Sequence, residues 1–160
     1  MSPHGETATS AGMLSVLSLG SNVGDRLAFL RLGLEVLEPL TVSPVYETAP
    51  WGGVEQDDFL NVVALCSWDA AEAWRRACLA ESQAGRDREV RWGPRTLDVD
   101  VIWAIGSDPA LDLPHPCAHE RAFVLVPWLD VDPDAVLPGH GPVAALPVDR
   151  SSVRPFGAAL

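Results

Sequence analysis

The sequence predicts an α+β fold built on an antiparallel sheet, and three observations lead to that prediction. The chain has 160 residues, 48% of them apolar and 21% charged, which suits one domain with a single core. Short apolar runs with strand character alternate with segments of helical period. These segments come in the order strand, helix, strand, strand, helix, strand, and a tail rich in proline and glycine follows them.

Composition predicts where the domain begins and ends along the chain and in which cellular compartment the protein lies. Residues 1–12 are small and polar without an apolar period, so we expect a disordered leader before a single domain over 13–160. Charged residues and prolines interrupt every apolar stretch well before the roughly 18 residues that cross a bilayer. The three cysteines show no CxxC spacing and are expected to be reduced, buried thiols. We therefore expect a cytoplasmic protein with no membrane partner.

A change of hydrophobic period predicts the first strand and helix. Residues 14–19 form an apolar run that ends at Gly20, as is typical of a buried strand. After a glycine-containing turn, Asp25 is a candidate N-cap, and leucines recur at helical spacing over 27–37 until Pro39.

Two further strands flank a long loop. Residues 41–47 are rich in β-branched and aromatic side chains, but Pro44 cannot donate to a strand ladder, which indicates an edge strand or a bulge. Residues 48–58 contain a proline and two glycines and predict the loop. Residues 59–68 form a second apolar strand, in which Asn61 is the polar interruption.

The second helix and the last strand complete the predicted core. We expect a helix over 70–84 capped by Asp69, a loop over 85–95 and a strand over 96–105. The resulting order β-α-β-β-α-β is that of the split βαβ, or ferredoxin-like, plan, with helices on one face of the sheet. Beyond it come turns and an apolar run over 123–129, which we expect to form a C-terminal appendage on the core.

The overall charge is strongly acidic, whereas the basic residues are gathered in one region. Asp and Glu number 22 against 11 basic residues, for a formal net charge of −11, and every basic residue is arginine. An acidic surface repels nucleic acid, so we expect no nucleic-acid partner. Clustered arginines can still bind a small polyanion, although a solvated helix face and loop is the alternative. The cluster comprises Arg75, Arg76, Arg86, Arg88, Arg91 and Arg95.

Two aspartates on the last predicted strand form a candidate metal site. Side chains alternate along a strand, so Asp98 and Asp100 project from one face, roughly 6–7 Å apart at their α-carbons. At an effective dielectric constant of about 20 the two carboxylates repel each other by about 2–3 kcal/mol, which a divalent cation removes. Oxygen ligands without a nearby His or Cys favour Mg²⁺. The alternative is two exposed acids on a solvated sheet.

Several motifs resemble those of a known family. The run RWGPRTLDVDVI over 91–102 is similar to the signature of 6-hydroxymethyl-7,8-dihydropterin pyrophosphokinases. Further stretches agree in order and spacing, namely SLGSNVGDR, SPVYETAPWG, DFLNVVA, ESQAGRDR and LPHPCAHERAFVLVPW. The similarity covers about 14–138 and leaves 1–12 and 139–160 outside it.

The resemblance implies an enzyme that transfers pyrophosphate from ATP to the pterin alcohol in folate biosynthesis, giving AMP and the pterin diphosphate. It implies a monomer that uses ATP as co-substrate and two Mg²⁺ ions held by Asp98 and Asp100. The catalytic residues implied are Arg86, Arg95, Asp98 and Asp100. The ATP-binding residues implied are Glu81, Arg88, Trp92, Arg95, Val101, His115 and Arg121.

The resemblance also implies a pterin site with two aromatic faces and an amide that reads the ring edge. Its residues are Thr48, Ala49, Trp51, Phe59, Asn61 and Phe123. The residues alone leave ordinary core packing open for either phenylalanine, whereas an amide inside an apolar strand requires partners that a ligand can supply. The turn over 20–24 lacks the spacing and the lysine of a Walker motif, and we expect it to line the pterin site through Asn22.

Two rival functions belong to other classes. A ferredoxin-like RNA-binding module would use Phe59 and Phe123 to stack bases, but the acidic total and the paired aspartates disfavour it. A catalytically silent scaffold is the second rival, and the presence of every expected type of ligand residue argues against it.

Overall fold

Strands and helices alternate along the part of the chain that the computed structural model describes, which is residues 12–49, 57–85, 96–157 and 160. The strands are β1 (Ser15–Ser21), β2 (Thr41–Val42), β3 (Tyr46–Thr48), β4 (Phe59–Cys66), β5 (Asp98–Ala104), β6 (Val136–Leu137), β7 (Gly141–Pro142) and β8 (Val153–Pro155). The α-helices are α1 (Arg26–Leu37), α2 (Ala70–Gln83) and α3 (Ala122–Val131). Short 3-10 helices cover Ala118–Glu120, Val143–Ala145 and Arg150–Ser152.

An antiparallel sheet carries the fold, which confirms the predicted α+β class. Its strand order is β5-β1-β4-β3-β8, with β2 also paired to β4, and each pairing is antiparallel. The one strand expected over 41–47 is two short strands, because Pro44 has no amide hydrogen to continue the ladder. The finer ferredoxin-like assignment stays a prediction.

Both predicted helices begin at their expected caps. The side chain of Asp25 accepts a hydrogen bond from the backbone N–H of Ala28 at the start of α1. The side chain of Asp69 accepts one from the N–H of Glu72 at the start of α2. Each carboxylate satisfies a donor that the helix itself leaves unpaired, which explains why the helices begin there.

The two helices of the predicted core, α1 and α2, pack on one face of the sheet as expected, and α3 from the C-terminal part covers the other face. Leu17 and Leu19 of β1 pack in a core with α1 and α2, whereas the alternate residue Val16 packs with α3 on the opposite face. The apolar run over 123–129 forms most of α3 despite Pro127, and its buried side chains supply the second core. None of the described helices is long and apolar enough to span a membrane.

The C-terminal appendage joins the sheet rather than only covering it. Strand β8 pairs with β3, and its residue Val153 is buried. Strands β6 and β7 form a separate two-stranded sheet. At the other end of the chain, only Gly12 of the expected leader over 1–12 lies within the described residues. The three cysteines are free thiols, and of these Cys66 is buried.

Two arginines of the predicted cluster, Arg75 and Arg76, bond to residues of the helices instead of joining a polyanion site. The guanidinium of Arg76 lies 3.7 Å from the centroid of the Trp68 ring and donates to the backbone oxygen of Val36 at 2.9 Å. Its ion pairs with Glu38 and Glu72 are 2.9 and 2.8 Å long. Arg75, in contrast, is exposed and bonds to Glu72 alone among the described residues. Arg76 therefore fastens the end of α1 to α2.

Replacing Arg76 by methionine is expected to destabilise the protein by about 1–2 kcal/mol, because the stacking on Trp68 and the carbonyl cap are both lost. The matched variant Arg75→Met removes an exposed ion pair to the same glutamate and should leave the unfolding free energy essentially unchanged. Urea denaturation of both variants measures the difference. Equal stability of the two variants would contradict this role for Arg76.

Candidate active site

The register of β1 brings the two halves of the predicted site together. Gly20 of β1 pairs with Asn61 of β4 on one side and with Asp98 of β5 on the other. The residue two positions earlier, Ser18, pairs with Asp100. Directly paired residues of adjacent strands project from the same face of a sheet. The candidate pterin amide and the candidate metal carboxylates therefore lie on one face, with a glycine between them.

Gly20 leaves space where any other residue would place a side chain. A Cβ built there would lie 3.0 Å from Oδ1 of Asn61 and 3.3 Å from Cδ1 of Phe59. Both distances are tighter than ordinary contacts of a methyl group. The absence of a side chain at this position therefore leaves room for the side chains of Asn61 and Phe59 on the site face.

A hydrogen bond fixes the orientation of the Asn61 amide. Asn61 is 3% exposed, and its Nδ2 donates to Oγ1 of Thr48 at 2.8 Å. Thr48 is also buried, while the next residue, Ala49, is exposed at the end of β3. The structure thus supplies one of the partners that a buried amide requires, and that partner is itself a predicted pterin residue.

The acid pair occupies the face that the strand alternation predicts. Asp98 and Asp100 are partly exposed, whereas the alternate residues Val99 and Val101 are each 4% exposed and belong to the core on the other face. Among the described residues no group of three or more His, Cys, Asp or Glu side chains could enclose a metal ion. Two partly exposed carboxylates on one face of β5 fit Mg²⁺, which commonly takes the rest of its shell from water and substrate phosphates.

Arg121 connects the acid pair to a predicted pterin residue. Its NH1 lies 3.5 Å from Oδ2 of Asp100, and its guanidinium lies 5.6 Å from the centroid of the Phe123 ring. The Nε of Arg121 is buried and has no hydrogen-bond partner in the described part of the chain. A buried donor of this kind is available to a polar ligand.

His115 is held against the acid-bearing strand as a neutral hydrogen-bond donor. Its backbone N–H donates to the oxygen of Ile102, and its ring Nδ1 accepts the N–H of Cys117 at 3.2 Å. Burial of the ring lowers the pKa of His115 below its usual value, and the charge of Arg121 lowers it further, against the opposing charge of Asp98. With Nδ1 occupied as an acceptor, the ring proton is on Nε2.

The two other described ATP-site candidates face the outer edge of β5. Glu81 of α2 is 6% exposed, and its Oε2 accepts the N–H of Val99 at 2.8 Å. In an antiparallel ladder, the backbone N–H and C=O groups of every second residue point away from the paired strand. The N–H of Val99 bonds to Glu81 and so points away from β1. The backbone groups of Val101, two residues further along β5, point the same way. The Val101 side chain is in the core, so a nucleotide would meet its backbone.

Several predicted residues lie outside the described part of the chain. They are Trp51, Arg86, Arg88, Trp92 and Arg95.

Asn22 was expected to line the pterin site. It is 1% exposed, and its Nδ2 donates to the backbone oxygen of Asp57 at 2.9 Å, just before β4. Sequence reasoning missed the space at Gly20, for which a glycine at the end of an apolar strand was the available signal.

Paired carboxylates, a largely buried arginine and a neutral histidine beside a buried amide are the groups expected of an enzyme that acts on a phosphate-bearing substrate. The family model described as 7,8-dihydro-6-hydroxymethylpterin-pyrophosphokinase matches residues 16–133, which is most of the chain. The chain belongs to this family.

Curated relatives agree with that assignment over similar lengths. The 2-amino-4-hydroxy-6-hydroxymethyldihydropteridine pyrophosphokinase of Mycobacterium tuberculosis (strain ATCC 25618 / H37Rv) is 48% identical over 88% of each chain. The protein of the same name from Mycobacterium leprae (strain TN) is 50% identical over 84% of this chain and 79% of its own. That of Aquifex aeolicus (strain VF5) is 34% identical over 76% and 82%.

The neutral state of His115 predicts a specific pH dependence of stability. In the unfolded chain this histidine protonates near its ordinary pKa of about 6.5, whereas in the folded chain its pKa is lower. The unfolded state therefore binds the extra proton, and stability falls as the pH drops below about 6.5.

Replacing His115 by glutamine removes this linked proton. Between about pH 7.5 and pH 5.5, H115Q should lose less unfolding free energy than the wild type does. Urea denaturation at the two pH values gives the comparison. A loss in H115Q as large as in the wild type would show that His115 is not held neutral.

Proposed function

We propose that this pyrophosphokinase uses the described sheet face to bind ATP and 6-hydroxymethyl-7,8-dihydropterin side by side. The observation that carries the proposal is the pairing of Gly20 with both Asn61 and Asp98. It places a buried amide suited to a flat heterocycle next to carboxylates suited to a phosphate-bound cation. The family and the names of the curated relatives support pyrophosphate transfer in folate biosynthesis.

The acid pair holds magnesium in this proposal. Asp98 and Asp100 supply carboxylate oxygens on one face of β5, and we propose that they share two Mg²⁺ ions with the ATP phosphates. When bound, these ions offset the negative charge of the triphosphate and of the transferring group. Arg121, 3.5 Å from Asp100, adds a fixed positive charge from the protein.

The reaction is an in-line displacement at the β-phosphorus of ATP. The hydroxymethyl oxygen of the pterin forms a bond to that phosphorus and releases its proton to water, the bond from the phosphorus to the α,β-bridging oxygen breaks, and AMP leaves. The protein contributes mainly position and electrostatic stabilisation to such a step. The Nε2–H of His115 and the buried Nε of Arg121 donate to triphosphate oxygens, together with Arg86, Arg88 and Arg95 from outside the described residues.

The pterin half uses aromatic faces and the oriented amide. Phe59 and Phe123 stack on the two faces of the ring, and Asn61 reads its amide and amino edge while Thr48 holds the Asn61 side chain in place. Backbone groups at Ala49 and the Trp51 segment complete this half.

The adenosine half lies at the outer edge of β5. The backbone N–H and C=O of Val101 face outward there and can bond to a base without help from its side chain. Glu81 supports this edge through its bond to Val99, and Trp92 from the segment before β5 contacts the nucleotide.

The remaining features of the proposal concern the whole protein. We propose a cytoplasmic monomer with one domain over 13–160 that acts on its two small substrates and binds no nucleic acid. The formal net charge of −11 supports the last point, since it opposes association with a polyanion. The family membership leaves the RNA-binding alternative unsupported.

Replacing Asp98 or Asp100 by asparagine should lower kcat at least about a hundredfold, or ~2.7 kcal/mol of transition-state stabilisation, because each variant loses a magnesium ligand. AMP release from MgATP, measured with and without the pterin alcohol, is the assay. The control Glu35→Gln removes an exposed carboxylate on α1 and should leave the rate unchanged. Near-normal rates in both aspartate variants would overturn the metal assignment.

Replacing Gly20 by alanine tests the pterin half separately. The added methyl group would lie within 3.0 Å of Asn61 Oδ1 and 3.3 Å of Phe59, where the pterin is proposed to approach. The KM for the pterin should rise at least about tenfold while the KM for ATP changes little, since displaced contacts weaken binding of one substrate only. Equal effects on both KM values would place the pterin elsewhere.

A further inference from the structure

Four charged residues link three separate parts of the chain behind the pterin half of the site. NH1 of Arg26 lies 3.0 Å from Oε2 of Glu47 and 3.0 Å from the backbone oxygen of Asp58. NH2 of Arg154 lies 2.8 Å from Oδ2 of Asp58 and 3.5 Å from Oε1 of Glu47. These four residues form the stem network, in which Arg154 bridges the two carboxylates and Arg26 binds the Glu47 carboxylate and the Asp58 backbone oxygen.

The stem network holds the two ends of the connection between β3 and β4. Glu47 precedes Thr48, whose side chain holds the Asn61 amide, and Asp58 precedes Phe59, a proposed stacking ring. Glu47 is paired with Leu60, which packs in the core formed with α1 and α2. Strand alternation therefore places Glu47 on the face behind the site and Thr48 on the site face.

Strand β8 brings Arg154 into this position. Arg154 is paired directly with Glu47, and Val153 is paired with Thr48. Strand β3 has only three residues, so pairing with β8 gives it a second neighbour on the side away from β4. Strand β8 lies beyond residues 16–133, the span that matches the family model.

The position of Arg26 supports a specific role for the network. Arg26 is the first residue of α1, where the helix dipole disfavours a positive charge, and the carboxylate at that helix end, the N-cap Asp25, already accepts the N–H of Ala28. Its guanidinium reaches instead to Glu47 and Asp58, and it lies 5.6 Å from the centroid of the Phe156 ring beyond β8. The contacts of Arg26 with Glu47 at the end of β3 and with Asp58 before β4 thus offset its unfavourable position at the start of the helix.

We propose that Arg154, with Arg26, is a positioning residue for the pterin: it sets the spacing of Thr48 and Phe59 through Glu47 and Asp58. Exposed ion pairs contribute little to global stability, and the side chain of Arg154 is 51% exposed. The network therefore acts on local geometry more than on unfolding. This inference rests on the proposed pterin site.

The test compares Arg154→Gln with Arg150→Gln in the full chain. Arg150 precedes β8, is exposed, and donates to the backbone oxygen of Ala144. R154Q is expected to raise the KM for the pterin at least about threefold, with the KM for ATP and the melting temperature nearly unchanged, because a small displacement of positioned groups weakens one substrate site. R150Q should match the wild type, and Arg154→Lys should recover part of the loss.

A double variant examines the contact itself. The double variant combines Arg154→Gln with Asp58→Asn. If Arg154 acts through Asp58, the fold increase in its pterin KM should be smaller than the product of the fold increases in the two single variants. A pterin KM of R154Q equal to that of R150Q, or a melting temperature that falls in parallel with the KM, would overturn the inference. Absence of pterin-dependent AMP release in the wild type would instead overturn the proposed function.

Discussion

The central position of β1 is the constraint on which the site depends. Because β1 lies between β4 and β5, its antiparallel register decides which residues of those strands share a face. A shift of one residue would turn Asn61 or Asp98 toward the opposite core. The buried leucines of β1, with α1 and α2 packed on them, fix that register, so the same apolar packing that stabilises the fold also aligns the two halves of the site.

The described arginines of this acidic chain differ in what they contact. Arg76 stacks on Trp68 and caps α1, and Arg26 and Arg154 bind carboxylates behind the sheet. Arg121 lies on the site face beside Asp100. Guanidinium groups suit all of these places because they keep their charge when partly buried and form several directed hydrogen bonds. Of the arginine cluster in the sequence, Arg76 therefore has a structural role, and the polyanion site stays a prediction for the members outside the described residues.

Sequence reasoning succeeded where the signal is local. The caps Asp25 and Asp69, the helices that follow them and the alternation that exposes Asp98 and Asp100 all depend on neighbouring residues, and each was predicted. Helix α3 was missed because its run is apolar on every side and contains Pro127, so it has no helical period to detect. The pairing of β8 with β3 and the contacts at Gly20 join distant segments, which no local pattern specifies.

A crystal structure with Mg²⁺, the pterin alcohol and an ATP analogue whose α,β-bridge is methylene tests the shared sheet face most directly. We expect magnesium at about 2.0–2.1 Å from carboxylate oxygens of Asp98 and Asp100. We also expect the pterin edge within hydrogen-bond distance of the Asn61 amide, on the same side of Gly20 as the triphosphate. Either substrate bound on the other face of the sheet, or magnesium away from both aspartates, would contradict the shared sheet face.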